Sequence, residues 1–146
     1  MAVKRIPDGY QRVIPYLIIN NVDTMMTFLK DVFDAEIIER MALPDGTVNH
    51  GEVRIGDSVI MMGKSSENYP PQASTVYVYV DDVDSVYKKA ISIGANSIME
   101  PTDMFYGDRN AGFADPQGIN WWAAIHVEDI ARDEMERRNT KRAKQK

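Results

Sequence analysis

A four-residue phrase occurs twice in this chain. Asn21-Val22-Asp23-Thr24 returns 61 positions later as Asp82-Val83-Asp84-Ser85, each time after an apolar run and before helical spacing. A unit repeated within 146 residues leaves room for two copies, and neither copy is large enough to bury a sheet by itself. The repeat constrains the fold more than any figure of composition does.

Each copy carries the same order of elements. Its first strand is expected over 13–19 in one copy and over 75–80 in the other. The Asn and Asp that follow make good N-caps, because their side chains accept the unpaired amide hydrogens of a first helical turn. Helices are expected over 23–33, with Met25, Met26, Phe28, Leu29, Val32 and Phe33 apolar, and over 84–93, with Val86, Tyr87, Ala90, Ile91 and Ile93 apolar. Gly94 suits the stop of the second helix. Three strand-like runs follow each helix: 36–42, 48–55 and 58–62 in the first copy, then 97–99, 107–114 and 119–125 in the second. Turns at Pro44-Asp45-Gly46, Gly56-Asp57 and Asp115-Pro116-Gln117-Gly118 separate them. The expected class is α+β: two βαβββ modules, 12–68 and 74–127, forming a cupped mixed β-sheet with helices on its outer face. A lead of 1–11, a linker of 69–73 and a charged segment of 128–146 complete the chain.

Composition excludes several chemistries. There is no cysteine, which removes disulfides, thiolate nucleophiles and zinc-thiolate sites together. The formal charge of −5 repels phosphate backbones, so nucleic acid is not an expected partner of the body of the protein. No apolar run reaches the length of a membrane span, and the first residues lack a secretory apolar stretch, which points to a cytoplasmic protein. From Glu128 onward, EDIARDEMERRNTKRAKQK places acidic residues before basic ones, the order that suits a helix dipole. That segment reads as a short surface helix fraying into a tail, or as a basic arm for an anionic partner.

Strand alternation separates the two faces of the sheet. Along 75–80 it sets Val76, Val78 and Val80 against Thr75, Tyr77 and Tyr79. Valines suit a helix-packed side. Tyrosines suit a lined hollow or a wet surface, and Tyr16 stands in register with Tyr77 in the first copy. Adjacent Trp121 and Trp122 must part in the same way, one into a core and one toward something else.

The separated phrases HGEVRIGDSVIMM, VYVYVDDVDSVYKKAISIGA, DMFYGDRNAGFADPQG and WWAAIHVEDI, taken in order over about residues 12–138, resemble the glyoxalase/bleomycin-resistance/dioxygenase superfamily, also called vicinal oxygen chelate (VOC). Within it they are most similar to the PhnB-like branch. The resemblance implies paired modules, a cupped sheet and a homodimer, with modules exchanged between chains in some members. Members include metal-dependent isomerases, ring-cleaving dioxygenases, thiol transferases and drug-binding proteins, so the fold does not name one activity. The metal enzymes hold a divalent ion with His and Glu at four equivalent places, which here fall near Ile14, Met61, Thr75 and Trp122. A thioether, a ring and an aliphatic chain are not donors for such an ion, and Thr75 alone is a poor one. The resemblance therefore implies no resident metal, with Trp121 in the core and Trp122 where a relative would carry a metal-binding glutamate.

Other residues could still do chemistry. His50, Glu52 and Arg54 share one face of 48–55, either a solvated polar face or a pocket wall; on a wall, His50 and Glu52 make an acid/base or ligand-orienting pair. His126 suits fixing the strand end or capping the terminal helix more than catalysis. In Tyr106-Gly107-Asp108-Arg109 the adjacent charges read as a loop-fixing ion pair, or Arg109 holds an anionic group of a ligand. The resulting expectation is a homodimeric binding protein rather than an enzyme, with no cofactor. It would take a small hydrophobic or aromatic molecule on Tyr16, Met61, Thr75, Tyr77, Trp122 and Arg109. The rivals are an enzyme with a displaced metal site or metal-free His50/Glu52 acid–base chemistry, and a structural dimer without a ligand.

Overall fold

The computed structural model describes residues 2–145. The chain divides into two compact units, Met1–Ser74 and Thr75–Lys146. In the first, β1 (Tyr16–Ile19), α1 (Val22–Phe33), β2 (Glu36–Ala42), β3 (Val48–Ile55) and β4 (Ser58–Lys64) build a four-stranded sheet of order β1-β4-β3-β2. β1 runs parallel to β4, and the other pairs are antiparallel. In the second, β5 (Ser74–Tyr79), α2 (Val83–Ser92), β6 (Asn96–Asp103), β7 (Asp108–Ala114) and β8 (Ile119–His126) give the matching order β5-β8-β7-β6, followed by α3 (Arg132–Lys144). The architecture is α+β, two mixed four-stranded sheets with three helices.

Both N-caps form as the sequence implies: Asn21 accepts from the Thr24 amide and Asp82 from the Ser85 amide, each at 3.0 Å. α1 lays Val22, Met25, Met26, Leu29 and Val32 on Leu17, Ile19, Val53 and Met62, all nearly or fully buried. Each such side chain contributes about 1.5–3 kcal/mol by leaving water. The helix comes so close to β3 that a Cβ on Gly51 would stand 2.6 Å from Met26 Sδ and 2.7 Å from Val22 Cγ1. In the second unit Phe113 and Trp121 face each other across β7 and β8, fully buried. The Trp121 indole donates to Asp115 Oδ2 at 2.7 Å, tying the Asp115–Gly118 turn to the core.

Several boundaries differ from the sequence reading. The first strand starts at Tyr16 rather than residue 13, because Pro15 has no amide hydrogen to give the ladder. The Gln11 side-chain amide takes over there, donating to Val59 O and accepting from Val59 N. α1 ends at Phe33 as expected, and its C-cap Asp34 sits in the left-handed region at φ 54°. β6 runs on to Asp103 through Pro101, as an edge strand with register shifts can. α2 buries Val83 and Ala90 fully, while Ile91 and Ile93 stay 36% and 41% exposed. One residue is about 100° of helix, so Ile91 turns off the face that Ala90 presents. The charged C-terminal segment is helical from Arg132 to Lys144 rather than fraying after a short helix. No helix among the described residues is long and apolar enough to cross a membrane.

Candidate functional site

Each sheet has one face against its helix and one turned away. In the first unit, strand pairing puts Tyr16 opposite Met61, Met61 opposite Glu52, and Gly63 opposite His50, all on the face away from α1. Gly63 has no side chain, and Tyr16 uses the space: a Cβ there would meet the Tyr16 hydroxyl at 2.8 Å. The ring crosses to His50, with its oxygen 3.1 Å from Nδ1. His50 Nε2 is 2.8 Å from Glu52 Oε2, and the hydroxyl of Tyr10 donates to Glu52 Oε1. The result is a continuous chain, Tyr16–His50–Glu52–Tyr10, whose central carboxylate is 7% exposed. Burial pushes the Glu52 carboxyl up, but the hydrogen bonds from His50 and Tyr10 outweigh it and hold it below the usual range.

The second unit repeats this geometry with different chemistry. Tyr77 stands one repeat after Tyr16 and Trp122 one repeat after Met61. Trp122 pairs with Gly112, where the first unit pairs Met61 with Glu52, and its ring lies across that glycine. A Cβ on Gly112 would stand 2.8 Å from the indole. Trp121 is fully buried and Trp122 is partly exposed on the opposite face, as strand alternation requires. Thr75 is exposed at the start of β5 on the side of Tyr77.

Around Tyr77 lies a second polar cluster. Asp108, 5% exposed, accepts from the hydroxyls of Tyr77 and Tyr79 at 2.8 Å on Oδ2, and its Oδ1 is 2.9 Å from His126 Nδ1. Asn110 donates to the hydroxyls of Tyr77 and Tyr106, and its buried Oδ1 has no hydrogen-bond partner among the described residues. Burial raises the Asp108 carboxyl; the hydrogen bonds from His126, Tyr77 and Tyr79 more than offset it, so the net direction is down. The Tyr77 phenol is raised, first by burial. His126 Nε2 is 2.6 Å from Asp129, and the two carboxylates, Asp129 before Asp108, raise the imidazole. His126 thus fixes the end of β8 to the segment after it.

Within the second unit Arg109 stands apart from Tyr77 and Trp122. It points to the helix side of β7, where its guanidinium grips Asp84 at the start of α2 at 2.8 and 3.0 Å and Asp103 at 3.1 Å. Asp84, then Asp103, raises its pKa further. The adjacent Asp108 faces the other way, so the expected Asp108–Arg109 ion pair is replaced by Asp108–His126 and Arg109–Asp84. Alternation along β7 carried that signal. Tyr10, Tyr79, Tyr106 and Asn110 were not singled out as site residues; Tyr79 was visible in the alternation of β5, whereas Tyr10 lies in a lead with no periodicity.

Ile14, Met61, Thr75 and Trp122, the four places the resemblance implies for a metal, offer an aliphatic chain, a thioether, one hydroxyl and an indole, a set that does not fit a divalent cation. Among the described residues no three His, Cys, Asp or Glu side chains gather as a metal-holding group. His50 and Glu52 are neighbours of Met61, yet they are two donors, with both imidazole nitrogens already engaged.

Two βαβββ units whose sheets each leave one face free of helix define the class of fold, and comparison with known proteins agrees. Residues 11–123 match the family model for the Glyoxalase/Bleomycin resistance protein/Dioxygenase superfamily, and the chain belongs to that superfamily. An uncharacterized protein of Mycobacterium bovis is 28% identical over 133 residues, covering 84% of this chain and 88% of its own. A Mycobacterium tuberculosis H37Rv protein, also uncharacterized, is 28% identical with 84% and 78% covered. Among solved structures, TioX from Micromonospora sp. ML1 superposes with a TM-score of 0.69 at 23% identity, covering 80% of this chain and 99% of TioX. A glyoxalase/bleomycin resistance protein/dioxygenase family enzyme from Burkholderia phytofirmans PsJN gives 0.66 at 20% identity, covering 78% and 97%. At these identities the structural likeness concerns the fold.

Proposed function

We propose that this chain binds a small, largely apolar or aromatic molecule, without a resident metal, on the sheet faces turned away from α1 and α2. The observation that carries the reading is the part-exposed Trp122 ring spread over Gly112, on the face that also bears Tyr77. Tyr16 and Met61 occupy the equivalent places in the first unit. On the second unit's face the Trp122 and Tyr77 rings offer apolar area to a planar ligand, and on the first unit's face Tyr16 and the Met61 thioether do so beside the His50–Glu52 pair as orienting polar groups. Arg109 is left out of the contact set, because its fork is spent on Asp84 and Asp103. The phrases shared with the PhnB-like branch favour that branch and a homodimer as the working assembly, which sedimentation can test.

The direct experiment is tryptophan fluorescence quenching by a panel of planar small molecules, in the native chain and in Trp122→Phe. Saturable quenching that Trp122→Phe abolishes is expected. A panel that quenches neither protein sinks the reading in favour of a dimer without a ligand.

A second reading rests on the 2.8 Å contact between His50 and Glu52. A buried carboxylate that orients an imidazole prepares it for general acid/base work, with Tyr16 on the other ring nitrogen as the group a substrate would displace. A turnover lost in both His50→Gln and Glu52→Gln, in chains still folded by circular dichroism at the assay temperature, would mark an enzyme. Binding that survives both substitutions with no turnover on any candidate substrate would leave the pair an orienting role.

A further inference from the structure

The second unit carries a groove of about 460 Å³ between α3 and the end of β6 with the loop that follows it. Arg137, Arg138, Lys141 and Arg142 line it from the helix, Asp103 from the end of β6 and Phe105 from the loop. Seven of the chain's seventeen Lys and Arg fall within 132–146, against three of its twenty-two Asp and Glu. The segment is therefore a concentrated positive region on a protein whose net charge is −5.

The charges in the groove are only partly answered. Glu134 accepts from both Arg137 and Arg138, one carboxylate serving two guanidiniums. Glu128 adds a contact of 3.5 Å to Arg138, and Asp103 is engaged by Arg109. For Lys141 and Arg142 no carboxylate partner occurs among the described residues. Arg142 instead sits over the Phe105 ring, its Cζ 5.3 Å from the centroid, and Arg138 donates to the Phe105 carbonyl at 3.0 Å. Both guanidiniums are thus held by the loop before any anion arrives, which lowers the ordering cost of binding one. Planar guanidinium forks match the oxygens of phosphate, and several cations within one concavity favour a ligand with several charges over a single carboxylate.

We infer that this groove is a binding site for a small oligophosphate, either free or as the tail of a nucleotide. An extended nucleic acid fits less well, because the groove spans one end of one helix and the rest of the chain, strongly acidic, repels a long phosphate backbone.

Calorimetric titration of the full chain with inorganic tripolyphosphate at 150 mM NaCl tests the assignment, with ATP and a single-stranded DNA 20-mer as parallel arms. Saturable binding at one site per chain is expected, weakened about tenfold or more in Lys141→Ala/Arg142→Ala, since each lost charge-assisted contact to an anion is a strong one. Arg142→Lys, which keeps the charge and loses the fork, should fall between them. ATP that outcompetes tripolyphosphate marks a nucleotide as the source, and equal affinity marks the phosphates alone; both support the site. Unaltered binding in the double variant at an unchanged melting temperature overturns it, as does DNA binding tighter than either phosphate, or no binding at all. Glu52→Gln and Trp122→Phe should leave the titration unchanged, so this site and the sheet-face reading stand or fall separately.

Discussion

The Tyr16 hydroxyl reaches across Gly63 to lie 3.1 Å from His50 Nδ1, and the missing side chain of the glycine is what lets it pass. Gly63→Ala puts a methyl 2.8 Å from that oxygen and must push the ring away. Tyr16→Phe removes the hydroxyl and nothing else. Both variants should shift the His50 ring signals in a ¹H–¹³C NMR spectrum and leave those of His126, the other histidine, in place. Each should cost about 1 kcal/mol or less, the net worth of one exposed hydrogen bond.

Gly51 faces the opposite way, under α1. An added Cβ would meet Val22 Cγ1 at 2.7 Å as well as the more pliant Met26 Sδ at 2.6 Å, and the branched valine on the first turn of the helix has nowhere to go. Gly51→Ala should destabilise the chain by about 1–3 kcal/mol, the usual range for overpacking. Urea unfolding checks this. A midpoint equal to that of the native chain would mean that the helix and sheet do not approach this closely.

Glu52 and Asp108 set an acid limit. Both carboxyls are held below their ordinary values of 4.5 and 3.8, since hydrogen bonds to the charged form outweigh burial. A depressed pKa contributes stability that is present above the ordinary value and is lost as pH falls through the depressed one. Melting temperature should therefore drop as pH falls below about 4.5, and Glu52→Gln should shallow that drop. At neutral pH the same variant should cost about 1–3 kcal/mol, because His50 and Tyr10 lose a charged acceptor.

His126 works in the other direction. Asp129 and then Asp108 raise it above its ordinary 6.5, so its contribution is complete below that value and is lost as pH rises through the raised one. An NMR titration should place the His126 transition above 6.5, and Asp129→Asn should bring it down. His126→Gln should remove the decline in melting temperature over the same interval.

Much of the fold was legible in the chain. The repeated Asn/Asp-Val-Asp-Thr/Ser phrase marked two strand-to-helix junctions, and both caps form. Alternation required Trp121 and Trp122 to part, the resemblance assigned Trp121 to the core, and the structure buries Trp121 and pairs Tyr16 with Met61. Applied to β7, the same rule separates Asp108 from Arg109, where adjacency in sequence suggested a pair. The Tyr10–Glu52 bond joins residues 42 apart, and the Asp108 cluster gathers Tyr77, Tyr79 and His126 from two other strands. Neither could be read locally, because no periodicity links those positions.

By itself the sequence determined the two units, their strand and helix order, and the opposite facing of valines and tyrosines along β5. These follow from local periodicity and from capping and turn chemistry, which act over a few residues. Only the tertiary structure decided the hydrogen-bond partners of the buried polar groups and the start of β1 at Tyr16. It also decided the placing of Arg109 against α2, away from Tyr77 and Trp122. Which donor reaches which acceptor depends on strand register and on how closely side chains pass over Gly51, Gly63 and Gly112, and packing on each sheet settles those distances.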